Sequence, residues 1–215
     1  MNVQLFYHVA VMGPWSRICD EQLTLFDRVG LRPMIGIVGP TDGGFNWRGD
    51  VLFHHPNIRE YELPTIDALW NWCRVNPGDV AIYAHTKGVS APNRRRGLMR
   101  HLVHRTIIER WKDNLPILND HDVVGFVHVS RNRGVMRDFF RGNFWMIRAD
   151  YAATLPSPLE YSKAYPIHRR RYAAEMWPLI SPQCRWAEVH KDGLLGDLAR
   201  ELCPELFIPT PRKHR

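Results

Sequence analysis

One feature constrains the fold of this chain more than any other. Short β-rich apolar runs, closed by Gly or Pro, alternate with stretches whose apolar residues recur at helical spacing. Residues 3–11 (VQLFYHVAV) alternate in polarity and are rich in Val, Phe and Tyr, which predicts a strand. Gly13-Pro14 breaks it, and Ser16 is placed to cap a helix with Ile18, Cys19, Leu23, Phe26 and Val29 on one face, ending at Gly30. Residues 33–38 form a second run, closed by GPTDGG, and residues 51–55 a third. Pro64 opens a second helix with Ile66, Leu69, Trp70 and Cys73 inward, and Asn76-Pro77-Gly78 stops it. The strand DVAIYAHTKG (residues 79–88) then ends abruptly on His85, Thr86, Lys87 and Gly88. One long helix is predicted over 93–115, strands over 123–129 and 143–147, a partly helical stretch over 171–180, an extended stretch over 185–190 and a last helix over 194–202.

Strands alternating with helices imply an α/β fold of the Rossmann type, with a mainly parallel central sheet covered by helices on both faces. No linker or internal repeat divides the chain. The expectation is one domain over residues 1–208 and a basic tail, PTPRKHR, over 209–215. Four scattered cysteines with no CxxC pair indicate reduced thiols and argue against a structural zinc site. The N-terminus has no basic n-region, and no apolar stretch is long enough to span a bilayer, so a soluble cytoplasmic protein is expected. The formal charge of +7 points to an anionic partner, although the excess of Arg over Lys also fits a compositional bias of the source.

In such sheets ligands bind beyond the carboxyl ends of the strands. That rule selects Tyr7, His8 and Val9 at the end of the first strand, and His85, Thr86, Lys87 and Gly88 at the end of the 79–84 run. It rejects Asp120-His121-Asp122, a literal Asp-x-Asp, because this pair precedes a strand and so belongs at the amino edge as a polar turn. No GxxxxGK[ST], no GxGxxG after the first strand and no Ser-centred nucleophile elbow occurs, which argues against a P-loop nucleotidase, a dinucleotide-dependent dehydrogenase and an α/β-hydrolase.

Three further stretches stand out. In RGNFWMIRA, Gly142 permits close backbone approach and Asn143 offers both a donor and an acceptor. Phe144 and Trp145 supply either faces for a sugar ring or an aromatic core cluster. In RYAAEMW, Glu175 sits in an apolar helical turn, suited to general-base work, or else pairs with Arg171 one turn earlier. His190 ends an extended run, where it serves as a metal or phosphate ligand or has a structural role.

Taken in order, YHVAxMGxW, REYExPT, HTKGVS, GNFWxxRADY and RYAAExW resemble a group of bacterial and viral glycosyltransferases, over roughly residues 5–190. The group is related to the rhamnan-synthesis proteins and to the glycosyltransferase domain of a large chlorella-virus protein. The resemblance implies a single-domain GT-A fold and transfer of a hexosyl or deoxyhexosyl unit from a nucleotide sugar, a UDP-sugar by family analogy, to a hydroxyl acceptor with inversion. On this resemblance Tyr7, His8 and Val9 line the nucleotide pocket, and Arg17 and Tyr61 lie near the base or diphosphate. His85, Thr86 and Lys87 occupy the place of the usual Asp-x-Asp. Gly142, Asn143, Phe144 and Trp145 shape the sugar and acceptor site, Glu175 is the base, and His190 takes the position of a metal-ligating histidine. Replacing two carboxylates by His-Thr-Lys removes ligands for Mn²⁺ or Mg²⁺ and adds a fixed positive charge, so weak metal dependence is expected. Basic residues at 94–96, 131–137 and 168–171 suit either a polyanionic acceptor, such as an anionic glycan or modified phage-type DNA, or a solvated surface. The competing class is a non-catalytic, basic nucleic-acid-binding protein.

Overall fold

The computed structural model describes residues 1–41, 43–90, 93–130 and 138–189, the side chains of Arg94 and Arg95 excepted. The predicted helix over 194–202, the tail 209–215, His190 and the basic stretch 131–137 lie outside the described residues.

In chain order the elements are β1 (Val3–Ala10), α1 (Trp15–Arg28), β2 (Pro33–Val38), β3 (Asp50–His55), α2 (Leu63–Val75), β4 (Val80–His85), α3 (Arg94–Val103), α4 (Trp111–Asn114), β5 (Val123–Gly125), β6 (His128–Val129), β7 (Phe139–Phe140), β8 (Trp145–Arg148), α5 (Ala149–Thr154), α6 (Pro158–Ser162), α7 (Arg170–Met176) and β9 (Trp186–Glu188). Among the described residues a seven-stranded sheet runs β3-β2-β1-β4-β8-β5-β9. All of its neighbours pair parallel except β8, which is antiparallel to both β4 and β5. The chain is therefore an α/β protein with a mostly parallel sheet, compatible with a Rossmann-like fold. Among the described residues no helix is long and apolar enough to cross a membrane.

Alternation along the strands builds two cores. Leu5, Tyr7 and Val9 of β1 and Val80, Ile82 and Ala84 of β4 pack on one face, beneath α1 and α3. Phe6, Ala81 and Tyr83 face the other way, toward α2, α5 and α7. Trp145 and Trp177 are fully buried in this second core, each side chain contributing about 1.5–3 kcal/mol or more of apolar burial.

Several expected boundaries change. Ser16 does not cap α1: the cap position is Pro14, with no side-chain bond, and Ser16 lies inside the first turn. The single helix expected over 93–115 is interrupted. A π-turn at His104–Ile108 follows α3, and α4 passes into a 3₁₀ turn at Leu115–Asn119 that contains Pro116. The strand expected over 123–129 divides into β5 and β6 after Gly125, where a Cβ would lie 2.2 Å from the Phe140 ring. The β6–β7 pairing returns the chain to the sheet from its carboxyl edge, so β8 enters antiparallel and no crossover is required. This places the amino end of β8 beside the carboxyl end of β4, with Tyr83 opposite Trp145.

Candidate functional site

β1 and β4 are hydrogen-bonded neighbours whose carboxyl ends are in register, His8 opposite His85. The alternation that buries Tyr7 and Val9 turns His8 and His85 to the α2 face. Beyond these two strand ends lies a cavity of about 290 Å³. β1 and its loop supply His8, Ala10 and Met12, the loop before α2 supplies Tyr61 and Glu62, and the β4 end supplies His85, Thr86, Lys87 and Gly88. Arg96 of α3 and Arg171 and Glu175 of α7 complete the wall.

The loop after β4 is fixed by its own polar groups. The Thr86 hydroxyl accepts a hydrogen bond from the Ala10 backbone N–H at 2.9 Å, and the Thr86 N–H donates to the His8 carbonyl at 3.0 Å. Gly13 has φ of +52°, and a Cβ there would come within 2.4 Å of the Val89 carbonyl oxygen, so the two edge loops pack backbone to backbone. Gly88, with φ of +92°, turns the chain away after Lys87. The Lys87 ammonium has no hydrogen-bonding or ion-pair partner among the described residues, while the Lys87 carbonyl accepts from Arg100 Nη1 at 3.2 Å.

Glu62 holds the floor together. It occupies the cap position of α2 but makes no cap bond to its own helix. Its carboxylate instead accepts from the Tyr83 hydroxyl at 2.9 Å and from Asn143 Nδ2, and its Oε1 lies 3.2 Å from His85 Nδ1. Asn143 Oδ1 in turn accepts from Trp145 Nε1 at 3.0 Å. Among the described residues the non-glycine residues with positive φ are Tyr61 and Asn143, both at 53°, one beside Glu62 and the other bonded to it. Sparsely populated backbone of this kind concentrates where the surrounding structure holds a site in place.

Buried imidazoles give the region a pH signature. Burial lowers His8 to about 4, against an opposing pull from Glu62. Burial, reinforced by the Lys87 ammonium, lowers His85 to about 3, although its Nε2 lies 2.9 Å from the Gly142 carbonyl oxygen. His104 in the π-turn, 2.9 Å from Gln22 Nε2, is lowered to about 3, again chiefly by burial. The folded-state values lie below the unfolded value of about 6.5, so the unfolded chain binds more protons in acid. Stability is complete above about pH 6.5 and falls as the pH drops toward 4, by at most roughly 4 kcal/mol per pH unit when all three imidazoles contribute. Urea-unfolding midpoints should therefore fall steeply between about pH 6 and pH 5, where ordinary carboxylates are still ionised. A flat profile across that interval would contradict the burial of these rings as neutral species.

The structure gathers His8, Tyr61, His85, Thr86, Lys87, Gly88 and Glu175 into one cavity wall. Other predicted residues lie elsewhere. Tyr7 is fully buried, with its hydroxyl donating to Gln22 Oε1 at 2.8 Å, and Val9 is fully buried in the α1-side core, so neither lines the cavity. Arg17 lines an adjoining hollow. Phe144 and Trp145 offer no face to a sugar. Phe144 packs against His85 and His104, and Trp145 stacks on Tyr83 at 4.9 Å. Gly142, with φ of +86°, presents its carbonyl to His85, and Asn143 supports the floor from beneath. Arg171 faces the cavity and is drawn electrostatically toward Glu175, while its Nη2 donates to the Tyr172 hydroxyl at 2.6 Å. Asp122 bonds the Arg185 N–H at 2.8 Å and the Arg185 guanidinium at 3.0 Å, at the amino end of β5, as a polar turn requires. Among the described residues no three His, Cys, Asp or Glu side chains converge on a metal position.

Comparison with known proteins adds the following. No curated protein matches the chain. Among solved structures, the crystal structure of 4-diphosphocytidyl-2C-methyl-D-erythritol synthase is similar over 94% of this chain and 98% of that one, at 10% identity and a TM-score of 0.33, too loose a superposition to carry residue roles across. A family model described as a domain of unknown function, DUF8361, matches residues 49–194, from the start of β3 to beyond β9 and including most of the cavity wall. The chain belongs to the DUF8361 family.

Proposed function

We propose that this protein is a nucleotide-sugar-dependent glycosyltransferase of the GT-A type, as the resemblance to the rhamnan-synthesis group implies. One observation carries the reading: Lys87, whose ammonium has no partner among the described residues, and the Glu175 carboxylate share a cavity at the carboxyl edge of adjacent parallel strands. When the bond between the anomeric carbon and the diphosphate oxygen breaks, its electron pair goes to that oxygen and negative charge grows on the leaving group. Lys87 meets that charge, with Arg96 in the same wall. The acceptor hydroxyl attacks the anomeric carbon from the opposite side, which inverts its configuration, and passes its proton to the Glu175 carboxylate.

On the resemblance, His85, Thr86 and Lys87 stand in the place of Asp-x-Asp, which removes two oxygen ligands for Mn²⁺ or Mg²⁺ and adds a positive charge, and this supports assigning neutralisation of the diphosphate to side-chain cations. Glu62, in the cavity wall, and Asn143 behind it act as positioning residues for His85 and the Lys87 loop.

The test is incubation with a panel of nucleotide sugars, with and without hydroxyl acceptors, and measurement of released nucleotide. Release of a nucleoside diphosphate from one donor, stimulated by an acceptor, is the expected result. If no donor is consumed, and oligonucleotide alone raises the melting temperature while no nucleoside diphosphate does, the non-catalytic binding module replaces this reading.

A further inference from the structure

A second hollow, of about 260 Å³, adjoins the cavity and shares Gly88 and Arg96 with it. Its remaining wall is Arg17, Ile18, Asn93, Gly97 and Arg100. The guanidinium groups are unequally compensated. Arg100 is held by Glu21, with Nε and Nη2 each 3.2 Å from a carboxylate oxygen. Among the described residues the Arg96 guanidinium bonds the neutral Ser90 hydroxyl, through Nη1 at 3.2 Å, and no carboxylate. Arg17 is exposed and has no side-chain hydrogen bond or ion pair among the described residues. Two uncompensated cations thus face one concavity beside a third, Lys87, in the next. Like charges so gathered repel one another, and an anion relieves that repulsion. A glycine keeps the boundary thin: a Cβ on Gly88 would stand 3.4 Å from Arg96 Cβ and 3.5 Å from Arg100 Nη1.

We infer that this hollow is a second anion subsite, which takes a phosphodiester group of the acceptor. The inference rests on the glycosyltransferase reading for the word acceptor, but not for the anion. Guanidinium forks suit phosphate oxygens, and Arg17 and Arg96 offer two of them to one concavity. Arg17 lies outside the donor cavity, whereas Arg96 borders both, so a phosphate here is in addition to the donor's diphosphate. An acceptor anchored by its phosphodiester would extend its neighbouring hydroxyl across Gly88 into the cavity that holds Glu175.

The experiment is fluorescence anisotropy with a short labelled single-stranded oligothymidylate, in the presence of saturating UDP, on the full chain and on Arg17→Ala. The variant is expected to bind the oligothymidylate roughly tenfold more weakly, to lower the slope of log affinity against log salt by about 1, and to keep UDP affinity within about twofold. Arg17→Lys should recover part of the loss by restoring charge without the fork. Unchanged oligothymidylate affinity in Arg17→Ala overturns the subsite. So does an equal loss of UDP affinity, which would make the hollow part of the donor site. Equal binding of an oligogalacturonate with the same dependence on Arg17 overturns the phosphodiester assignment. If no nucleotide sugar is consumed yet the oligothymidylate result holds, the subsite stands and the transferase reading falls.

Discussion

Replacing Glu175 by glutamine is expected to slow sugar transfer by roughly 10²–10⁴-fold, the range that a positioned general base contributes. UDP affinity should stay within about twofold, because the amide keeps the shape of the carboxylate and Glu175 comes from α7 rather than from the strand end that supplies Lys87. The side chain projects from α7, between the buried neighbours Ala174 and Met176, and shares the cavity with Arg171. Loss of turnover with intact donor binding is the signature of a group that acts on the acceptor. A variant that transfers at the wild-type rate would move the base elsewhere and leave Glu175 a structural role.

Lys87→Met is expected to cost roughly 10²–10³-fold in transfer, comparable to removing one preorganised group at a developing charge. Unlike the Glu175 variant, it should also weaken nucleoside-diphosphate binding, by about tenfold or more. Methionine retains much of the stem's length and volume, and Lys87 makes no side-chain bond that folding depends on among the described residues, so thermal stability should be little changed. Loss of the ammonium also removes the charge that presses on His85. The His85 pKa should therefore rise in the variant, which titration of its ring signals by NMR would detect.

How much of this was legible in the sequence differs from residue to residue. The β2 boundaries follow directly from the apolar run between two turn signals. The ends of β1 and β4 could be placed on one edge because periodicity located the strands and the carboxyl-edge rule supplied the geometry. The same rule put Asp120-x-Asp122 at the amino edge, where the structure has it, since its position relative to β5 is a local fact. What escaped was non-local. Glu62 lay inside a quoted motif without a role, because its partners Tyr83 and Asn143 are 21 and 81 residues away. The available signal was a Glu just before Leu63-Pro64 at a helix start, a residue type that is not a favoured cap, and the structure shows that no cap bond is made. Phe144 and Trp145, taken alone, suited an aromatic core better than a sugar face, and only the resemblance drew them to the sugar site; the antiparallel entry of β8 places them in the core. The break in the 93–115 helix was hidden because apolar residues, Ile107 and Ile108, continue through the π-turn, and no Gly or Pro marks it.

The central claim is that a fixed cation, Lys87, meets the diphosphate of a sugar nucleotide at the β4 edge. Calorimetric titration of UDP in the presence of EDTA, on the wild-type chain and on Lys87→Met, tests it most directly. The account predicts that the wild-type chain binds UDP in chelator and that the variant binds about tenfold or more weakly under the same conditions. Binding that vanishes in EDTA, returns with Mn²⁺ and is indifferent to Lys87→Met would contradict it.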